Sequence, residues 1–206
     1  MKKTLKVEGM MCGHCEARVK KALEALRKPG AVLLVPTETV YGLVCDWADQ
    51  AARDRIYAMK HRAENKPLAA FVPSPAHAET LCGCPLPETA KRFAERFMPG
   101  PVTLIVPDKN GGTFGFRIPD HPFILELLRA YGRPLASTSA NRSGQPPALE
   151  VGCALATLAE QPDCTVDYGP LPQDSRASTV ILVNADDTWK ILREGPVTKA
   201  ELEAAL

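Results

Sequence analysis

The amino-acid sequence predicts an α/β fold, a mixed β-sheet flanked by helices. Short apolar stretches alternate with amphipathic ones along the 206 residues, which is typical of strands connected by helices. Residues 31–35, AVLLV, form a continuous apolar run of the kind that is buried on both faces of a sheet. Residues 179–183 and 189–194 are separated only by the turn NADDT and predict an antiparallel hairpin, so the sheet is expected to be mixed.

The elements can be predicted in order along the chain. In the first helix, which begins at Cys15, apolar residues recur at helical spacing from Val19 to Leu26, and Pro29 and Gly30 follow as a stop signal. Further helices are predicted at residues 50–60, 87–98, 123–131, 150–160 and 198–206. Strands are predicted at residues 4–8, 31–35, 68–72, 102–106, 114–118, 134–138, 179–183 and 189–194.

Composition limits the class of protein. A hydrophobic content of 45% predicts a sizeable core, and a net charge of +1 predicts no strong overall attraction to nucleic acid or membranes. No apolar run approaches the roughly 20 residues of a membrane span, and no apolar region follows the basic N-terminus, as it would in a signal peptide. We expect a cytoplasmic protein whose seven cysteines are reduced. Cys82 and Cys84 lack a partner pair at zinc-site spacing and are interpreted as small, partly buried loop residues.

Five polar stretches interrupt the pattern at or near strand ends, where open α/β sheets gather ligand-binding groups. They are residues 36–43, 60–67, 111–117, 137–147 and 173–179. Lys60, Arg62 and Lys66 form either a solvated helix end or a clamp for a polyphosphate. The hydroxyl-rich segment STSANRSG is either a polar loop or a holder of phosphate oxygens. Neither segment by itself distinguishes a phosphate-binding site from an ordinary polar surface.

Common nucleotide and nucleophile motifs are absent from the sequence. It contains no GxxxxGK[ST] and no GxGxxG after a strand. It also contains no GxSxG, so Ser137 and Ser139 have no support as acyl nucleophiles. The chain therefore has nucleotide-binding residue types without a familiar nucleotide-binding loop.

The order of the motifs resembles that of one family. PTETVYGL, KHR, PGPVTLIV, FRIPDHP, STSAN and STVILV with ILREG follow one another between residues 29 and 206. This resembles the YrdC-like family, the threonylcarbamoyl-AMP synthases, in its short single-domain form. The resemblance implies a twisted mixed sheet flanked by helices around a central cationic cleft. It also implies synthesis of L-threonylcarbamoyl-AMP and pyrophosphate from L-threonine, bicarbonate and ATP with Mg²⁺. A separate threonylcarbamoyl transferase complex would then modify the tRNA adenosine beside the anticodon, with tRNA as a further partner of this chain.

The same resemblance implies roles for individual residues. The implied catalytic residues are Lys60, Arg62, Ser139 and Asn141. The implied ATP-binding residues are Lys60, Arg62, Lys66, Thr113, Ser139, Asn141 and Arg193. The implied threonine-binding residues are Thr39, Arg117, Ser137 and Ser178.

The residues alone leave other interpretations open. They also allow Thr39 to be a strand-edge hydroxyl, Arg117 a surface ion pair and Arg193 a solvated strand residue. Two positions depart from the family pattern: Ala63 replaces a common proline, and Phe71 replaces a histidine that contacts threonine in some relatives.

Residues 1–28 resemble a truncated strand and helix of a heavy-metal-associated domain, with the loop GMMCGHC. A complete domain of that kind needs two more strands and a second helix, so we expect the helix to pack onto the main domain, residues 29–206. Cys12 and Cys15 are the candidate ligands for Cu(I) or Zn(II), because thiolates suit soft metals. Two ligands without supporting residues make a weak site, and the alternative is a surface loop with two free thiols.

Three other functions compete with synthesis of threonylcarbamoyl-AMP. A double-stranded RNA or tRNA-binding module would use the cationic cleft without chemistry, although an aromatic content of 6% offers few surfaces for base stacking. A metal-binding protein would use only the N-terminal cysteines. The carbamoyltransferase of hydrogenase maturation contains a related domain, but it also carries zinc-finger and acylphosphatase modules that this sequence lacks.

Overall fold

The computed structural model describes residues 13–63 and 65–206, with side chains from residue 16 onward. The helices in this part are α1 (Gly13–Leu26), α2 (Gln50–Lys60), α3 (Pro75–Cys82), α4 (Glu88–Phe97), α5 (Pro122–Tyr131), α6 (Val151–Thr157) and α7 (Lys199–Glu203). The strands are β1 (Leu33–Val35), β2 (Gly42–Asp46), β3 (Ala69–Phe71), β4 (Val102–Pro107), β5 (Thr113–Arg117), β6 (Leu135–Ser139), β7 (Cys164–Thr165), β8 (Thr179–Val183) and β9 (Trp189–Arg193). The strand predicted at residues 4–8, Cys12 and the side chain of Cys15 lie outside the described residues.

One mixed sheet contains all nine strands of the described ranges, in the order β7-β1-β2-β6-β3-β5-β4-β8-β9. The pairs β1–β7, β3–β5 and β4–β8 are parallel, and the other neighbours are antiparallel. The hairpin of β8 and β9 turns at residues 184–188, as the sequence predicts. The mixed α/β architecture is therefore confirmed.

Helices cover both faces of the sheet. In β1, Leu33 and Val35 belong to an apolar cluster with α1 and α5, whereas Leu34 belongs to a cluster with α2 and α6 on the opposite face. A third cluster joins β3, β4, β5 and β8 to α3, α4 and α7. The continuous apolar run of β1 thus has the physical cause that its pattern predicts, namely burial on two faces.

Helix α1 belongs to this core. Its residues Val19, Ala22 and Leu26 are buried and share a cluster with Phe123 and Leu127 of α5. Full burial of one such Leu or Val side chain contributes about 1.5–3 kcal/mol. The helix therefore packs with the elements that follow it, while a domain boundary at residue 28 stays a prediction.

Three short elements of the structure, β2, α3 and β7, are not predicted from the sequence patterns. Strand β2 lies between β1 and β6 and is buried over its whole length. Over the described ranges, none of the helices combines the length and the apolar composition that crossing a bilayer requires.

Candidate active-site cleft

A cleft of about 660 Å³ opens beside the central strands of the sheet. Its walls are the β1–β2 connection, the loop after α2 and residues in or next to β3, β4, β5, β6, β8 and β9. Nine predicted site residues line it: Thr39, Arg62, Lys66, Thr113, Arg117, Ser137, Ser139, Ser178 and Arg193. The other two, Lys60 and Asn141, are not among the described lining residues.

Strand register brings together positions that are far apart in the sequence. Ser137 of β6 pairs with Val44 of β2 on one side and with Ala69 of β3 on the other. The next neighbour of β3 is β5, in which Arg117 pairs with Phe71. The ends of these central strands therefore place a hydroxyl and a guanidinium in the wall of one cleft.

Arg117 is buried in the cleft wall, with 5% of its surface exposed. Its Nη2 donates to Glu38 Oε1 at 2.6 Å and to Thr39 Oγ1 at 3.1 Å, and its Nε donates to the Gly100 carbonyl oxygen at 3.0 Å. The guanidinium carbon lies 5.9 Å from the ring centroid of Phe71. Arg117 is therefore not a solvent-exposed ion pair, and the aromatic ring at position 71 packs against it.

Thr39 is likewise buried and is held in a fixed orientation. Its Oγ1 lies 2.9 Å from Thr37 Oγ1, and Thr37 donates to the Val40 carbonyl oxygen at 2.6 Å. Both threonines are 2% exposed. Thr39 lies in the β1–β2 connection rather than in a strand, and its hydroxyl is buried in a hydrogen-bonded pair.

Ser178 and Arg193 form a second polar group in the cleft. Ser178 Oγ lies 2.8 Å from Thr103 Oγ1, and Arg193 Nη2 donates to Ser178 Oγ at 3.1 Å and to its carbonyl oxygen at 2.9 Å. Gly195, two residues after Arg193, lies against the backbone of Thr179. A Cβ at this position would lie 2.3 Å from the Thr179 backbone nitrogen, so only glycine permits the two segments to lie this close. Arg193 is an exposed residue at the end of β9 that also donates to Ser178, so the interpretation as a solvated strand residue accounts for its exposure but not for these hydrogen bonds.

Partial desolvation in the cleft lowers the pKa of Arg193, although the residue is exposed at the end of β9, and the neighbouring Arg117 and Arg62 lower it further. Burial also lowers the pKa of Arg62. An arginine nevertheless stays protonated in a protein. The described lining residues include four cationic side chains, Arg62, Lys66, Arg117 and Arg193, and no Asp or Glu. These cations would attract an anion into the cleft.

The end of α2 separates Lys60 from Arg62. His61 ends the helix in the left-handed region, with φ 48° and ψ 46°, so the chain changes direction between the two cations. Arg62 lines the cleft, and its Nε and Nη2 donate to the carbonyl oxygens of Lys66 and Pro67 at 2.9 and 3.0 Å. Ala63, where relatives commonly have proline, is exposed in this loop.

Lys60 instead points into the protein and is 1% exposed. Its Nζ donates to the backbone carbonyl oxygens of Ser139 and, at 2.6 Å, of Asn141. Burial, with a smaller effect of Arg62, lowers the pKa of Lys60 to about 7. Lys60 therefore supports the cleft wall from behind, and its predicted contact with ATP stays a prediction.

Asn141 also has a supporting position. Its Nδ2 donates to the carbonyl oxygens of Arg142 and Gln145 at 2.9 and 2.7 Å, which closes the loop after β6. Its Oδ1 is buried and has no hydrogen-bond partner among the described residues. The amide thus organises the loop through its donor and leaves one buried acceptor for a ligand or water.

Three further residues contact the predicted site residues and were not predicted from the sequence. Thr37 and Thr103 supply hydroxyls to the two polar groups, and Glu38 forms the ion pair with Arg117. Thr37 and Glu38 belong to the motif PTETVYGL, in which only Thr39 was assigned. Thr103 is the polar residue of an otherwise apolar strand, a local signal that can mark a functional group.

A family model named Sua5_yciO_yrdC and described as telomere recombination matches residues 24–195. The chain belongs to this family. A threonylcarbamoyl-AMP synthase of Bacillus subtilis (strain 168) is 36% identical over 192 residues, which cover 88% of this chain and 55% of that protein. A threonylcarbamoyl-AMP synthase of Chromohalobacter salexigens is 36% identical over 183 residues, which cover 84% of this chain and 96% of that protein.

The solved structures of the Sua5/YciO/YrdC family include Sua5 of P. abyssi in complex with L-threonine. This chain matches it with a TM-score of 0.81 and 30% identity, over 93% of this chain and 58% of that chain. The expected twisted sheet flanked by helices is thus confirmed as the fold of the family. The chain spans little more than half of the P. abyssi and B. subtilis proteins.

The N-terminal metal hypothesis concerns residues outside the described part. Cys12 and the side chain of Cys15 are not described. Within the residues that the structure does describe, no three His, Cys, Asp or Glu side chains cluster in a way that suits a metal ion. Binding of Cu(I) or Zn(II) by Cys12 and Cys15 stays a prediction.

Proposed function

We propose that this chain synthesises L-threonylcarbamoyl-AMP from L-threonine, bicarbonate and ATP, with release of pyrophosphate. The observation that carries the proposal is the arrangement of one cleft, in which buried hydroxyls line the same wall as Arg117 while Arg62, Lys66 and Arg193 supply further positive charge. The names of the B. subtilis and C. salexigens relatives and the L-threonine complex of P. abyssi Sua5 support it.

Arg117 and the hydroxyl groups form the proposed amino-acid subsite. Nε and Nη2 of Arg117 are used by Gly100, Glu38 and Thr39, while Nη1 makes no hydrogen bond to the described residues. This leaves the Nη1 donors for the carboxylate of threonine, a geometry that guanidinium groups favour. Thr39, Ser137 and Ser178 then offer hydroxyls to the amino and hydroxyl groups of the substrate.

Arg62, Lys66 and Arg193 form the proposed phosphate subsite, with Thr113 and Ser139 as hydroxyl donors. A triphosphate needs several cations and donors around it, and these side chains line the same cleft. The described lining residues include no carboxylate, so Mg²⁺ would enter with the phosphates of ATP as part of the substrate. Lys60 and Asn141 would act by holding the loop that carries Ser139.

The reaction needs positioning and charge neutralisation more than covalent catalysis. The amine of threonine takes up CO₂ derived from bicarbonate and becomes a carbamate. A carbamate oxygen then attacks the α-phosphorus of ATP, and the bond to the departing pyrophosphate breaks. Arg117 would fix the amino acid, while Arg62 and Arg193 would neutralise the charge that develops on the phosphate oxygens.

The product would serve the modification of tRNA. Its threonylcarbamoyl group is activated by AMP, so a separate threonylcarbamoyl transferase complex can pass it to the adenosine beside the anticodon. We place this chemistry in the cytoplasm, with tRNA as a further partner.

Pyrophosphate release from ATP tests the proposal. We expect release that requires both L-threonine and bicarbonate, with threonylcarbamoyl-AMP detected by mass spectrometry. Arg193→Ala should lose most of this activity, whereas Arg27→Ala, which removes an exposed arginine just after α1, should retain it. Pyrophosphate release that does not require threonine would contradict the proposal. So would an Arg193→Ala variant with wild-type activity.

A further inference from the structure

Cys82 and Cys84 lie side by side at the end of α3. Cys82 is the last residue of the helix, and Gly83 follows it in the left-handed region with φ 74°. The two sulfur atoms are 3.8 Å apart. A disulfide bond joins sulfur atoms at about 2.05 Å. Bond formation therefore requires only that the short segment around Gly83 move. Cys82 is 2% exposed, whereas Cys84 is partly exposed.

This pair of thiols is connected to the cleft through the β4–β5 turn, residues 108–112. The backbone nitrogen of Lys109 donates to the Cys82 carbonyl oxygen at 2.9 Å. The Lys109 side chain lies across Gly83, where an added Cβ would come within 2.5 Å of its Cδ. The turn leads directly to Thr113, which lines both the cleft and a neighbouring cavity of about 300 Å³ that Cys82 also lines.

The surroundings of the sulfur atoms favour dithiol chemistry over a metal site. Carbonyl oxygens of Cys84 and Pro107 lie 3.1 Å from Cys82 Sγ and 3.4 Å from Cys84 Sγ, respectively, and suit thiol donors. No group of three metal-ligating side chains occurs in the described parts of the chain, so the pair lacks a third ligand there. A disulfide that does form in a reducing compartment is usually transient or regulatory.

We infer that Cys82 and Cys84 form a reversible disulfide bond when the protein meets a peroxide, and that this bond displaces the β4–β5 turn at the edge of the cleft. Cys84 reacts first, because it is the more exposed. Its thiolate sulfur attacks one peroxide oxygen, the O–O bond breaks, and a sulfenic acid and one water form.

Cys82 completes the reaction. Its sulfur attacks the sulfenic sulfur of Cys84, the S–S bond forms, and the second oxygen leaves as water. Two thiols have then lost two electrons and two protons, and one peroxide has become two waters. Burial raises the pKa of Cys82, which makes this second step slower than attack by an exposed thiol. A small-molecule thiol reverses the reaction by exchange.

Mass spectrometry can test the disulfide directly, because both cysteines fall in one tryptic peptide. Trypsin does not cleave between Lys66 and Pro67, so residues 63–91 form a peptide with no other cysteine. The reduced full chain is treated with hydrogen peroxide, blocked with iodoacetamide in denaturant so that the buried Cys82 is accessible, and digested. We expect this peptide to carry no alkyl group and to be two hydrogen atoms lighter than the dithiol form. Dithiothreitol added before blocking should restore both alkylations.

Hydrogen exchange tests the connection to the cleft without any assay of synthesis, so failure of the proposed function leaves this test intact. Oxidation should speed exchange at the Lys109 amide, whose acceptor is the Cys82 carbonyl oxygen. Cys84→Ser should keep an alkylatable Cys82 and unchanged exchange. Cys153→Ser, which removes an exposed cysteine of α6, should behave as the wild type.

Three results would overturn the inference. They are retention of both alkylations after peroxide, separate oxidation of the two sulfurs to sulfinic acids, and a disulfide that leaves exchange in the turn unchanged. A circular-dichroism melt shows whether each serine variant is folded. If Cys84→Ser is unfolded, Cys82→Ser replaces it as the single-thiol variant.

Discussion

The side-chain nitrogen of Lys60 lies 2.6 Å from the backbone carbonyl oxygen of Asn141 and also donates to that of Ser139. Since Lys60 is 1% exposed, this contact joins the end of α2 to the loop after β6 inside the protein. Arg62, two residues later, faces the cleft. The two cations of the KHR motif therefore have different structural roles, and their variants should fail in different ways.

Lys60→Met should destabilise the protein, whereas Arg62→Ala should mainly impair ATP use. Methionine leaves the carbonyl oxygens of Ser139 and Asn141 without their donor, which should lower the free energy of unfolding by about 1–3 kcal/mol. Arg62→Ala should lower kcat/KM for ATP by about 10²-fold, the usual effect of losing one charge-stabilising donor. Urea unfolding and pyrophosphate release measure the two effects. Arg62→Ala activity within about threefold of wild type, about 0.7 kcal/mol in the barrier, would remove Arg62 from the site.

The burial of Lys60 also predicts how stability changes with pH. Its pKa is lowered from 10.5 to about 7 in the folded protein. Between these values the unfolded chain binds a proton that the folded protein does not, so the free energy of unfolding should rise with pH. Below pH 7 Lys60 is protonated in both the folded and the unfolded protein, so folding carries the full free-energy cost of burying its charge.

Lys60→Met lacks this titration and serves as the reference. The wild-type free energy of unfolding minus that of Lys60→Met should increase from about pH 7 to about pH 10. Chemical denaturation at several pH values measures the difference. A difference that is constant over this range would contradict the lowered pKa.

Glu38→Gln should weaken the binding of threonine through Arg117. The carboxylate accepts from Arg117 Nη2 and from the Asp120 backbone nitrogen, and its Oε2 is buried with no partner among the described residues. Loss of this charge-assisted bond should lower the free energy of unfolding by about 1.5–3 kcal/mol and free the guanidinium to turn. We therefore expect a higher KM for threonine and little change in KM for ATP.

Glu160→Gln provides the matched control for Glu38→Gln. Glu160 pairs with Arg55 on the surface and is 53% exposed. Exposed pairs contribute about 0–1 kcal/mol, so this variant should resemble the wild type in stability and kinetics. If Glu38→Gln lowers stability but leaves the KM for threonine unchanged, the pair with Arg117 is structural only.

The sequence predicted the elements whose pattern is strong. The apolar run of β1, the helical spacing of α1 and the hairpin of β8 and β9 each carry a local signal that the structure confirms. The resemblance also led to the nine site residues that line the cleft, although their roles remain proposals. These predictions succeeded because the spacing of apolar residues and the order of motifs can be recognised without knowledge of which residues pack together.

The elements that were missed depend on tertiary contacts. Strand β7 has two residues and exists through its parallel pairing with β1, which lies about 130 positions earlier in the chain. Strand β2 begins inside the polar motif PTETVYGL, at Gly42, so its five buried residues give a weak signal. Lys60 was assigned to ATP binding from the KHR motif, whereas its burial was not predicted. Its hydrogen bonds to carbonyl oxygens of a distant loop cannot be read from neighbouring residues.

Replacing Cys12 and Cys15 together by serine should leave pyrophosphate release unchanged. The proposed reaction uses residues of the cleft, and both thiols precede the residues that the family model matches. The double variant and the wild type are compared with and without a chelator. Loss of activity in the double variant, or a chelator effect that copper or zinc reverses, would show that the N-terminal thiols take part.

The choice of amino acid gives a test of the proposed pocket. The hydroxyl groups of Thr39 and Thr37 form one buried pair, and those of Ser178 and Thr103 form another. L-Valine has nearly the shape of threonine but lacks the hydroxyl, so it would lose a hydrogen bond with these groups. One such hydrogen bond contributes about 0.5–1.5 kcal/mol. Sites built to bind a substrate hydroxyl can reject an analogue without it by roughly 10⁴-fold.

Serine keeps the hydroxyl and loses one methyl group, which in an apolar environment is worth about 1 kcal/mol. We therefore expect threonine to be the best substrate, serine to be weaker and valine to be the poorest. Pyrophosphate release with each amino acid, at matched ATP and bicarbonate, gives the three values of kcat/KM. Ser178→Ala should narrow the gap in kcat/KM between threonine and valine, because it removes a hydroxyl that would bind the side chain of threonine and not that of valine. If valine equals threonine in the wild type, these hydroxyls do not bind the substrate side chain, and the assignment of the amino-acid subsite fails.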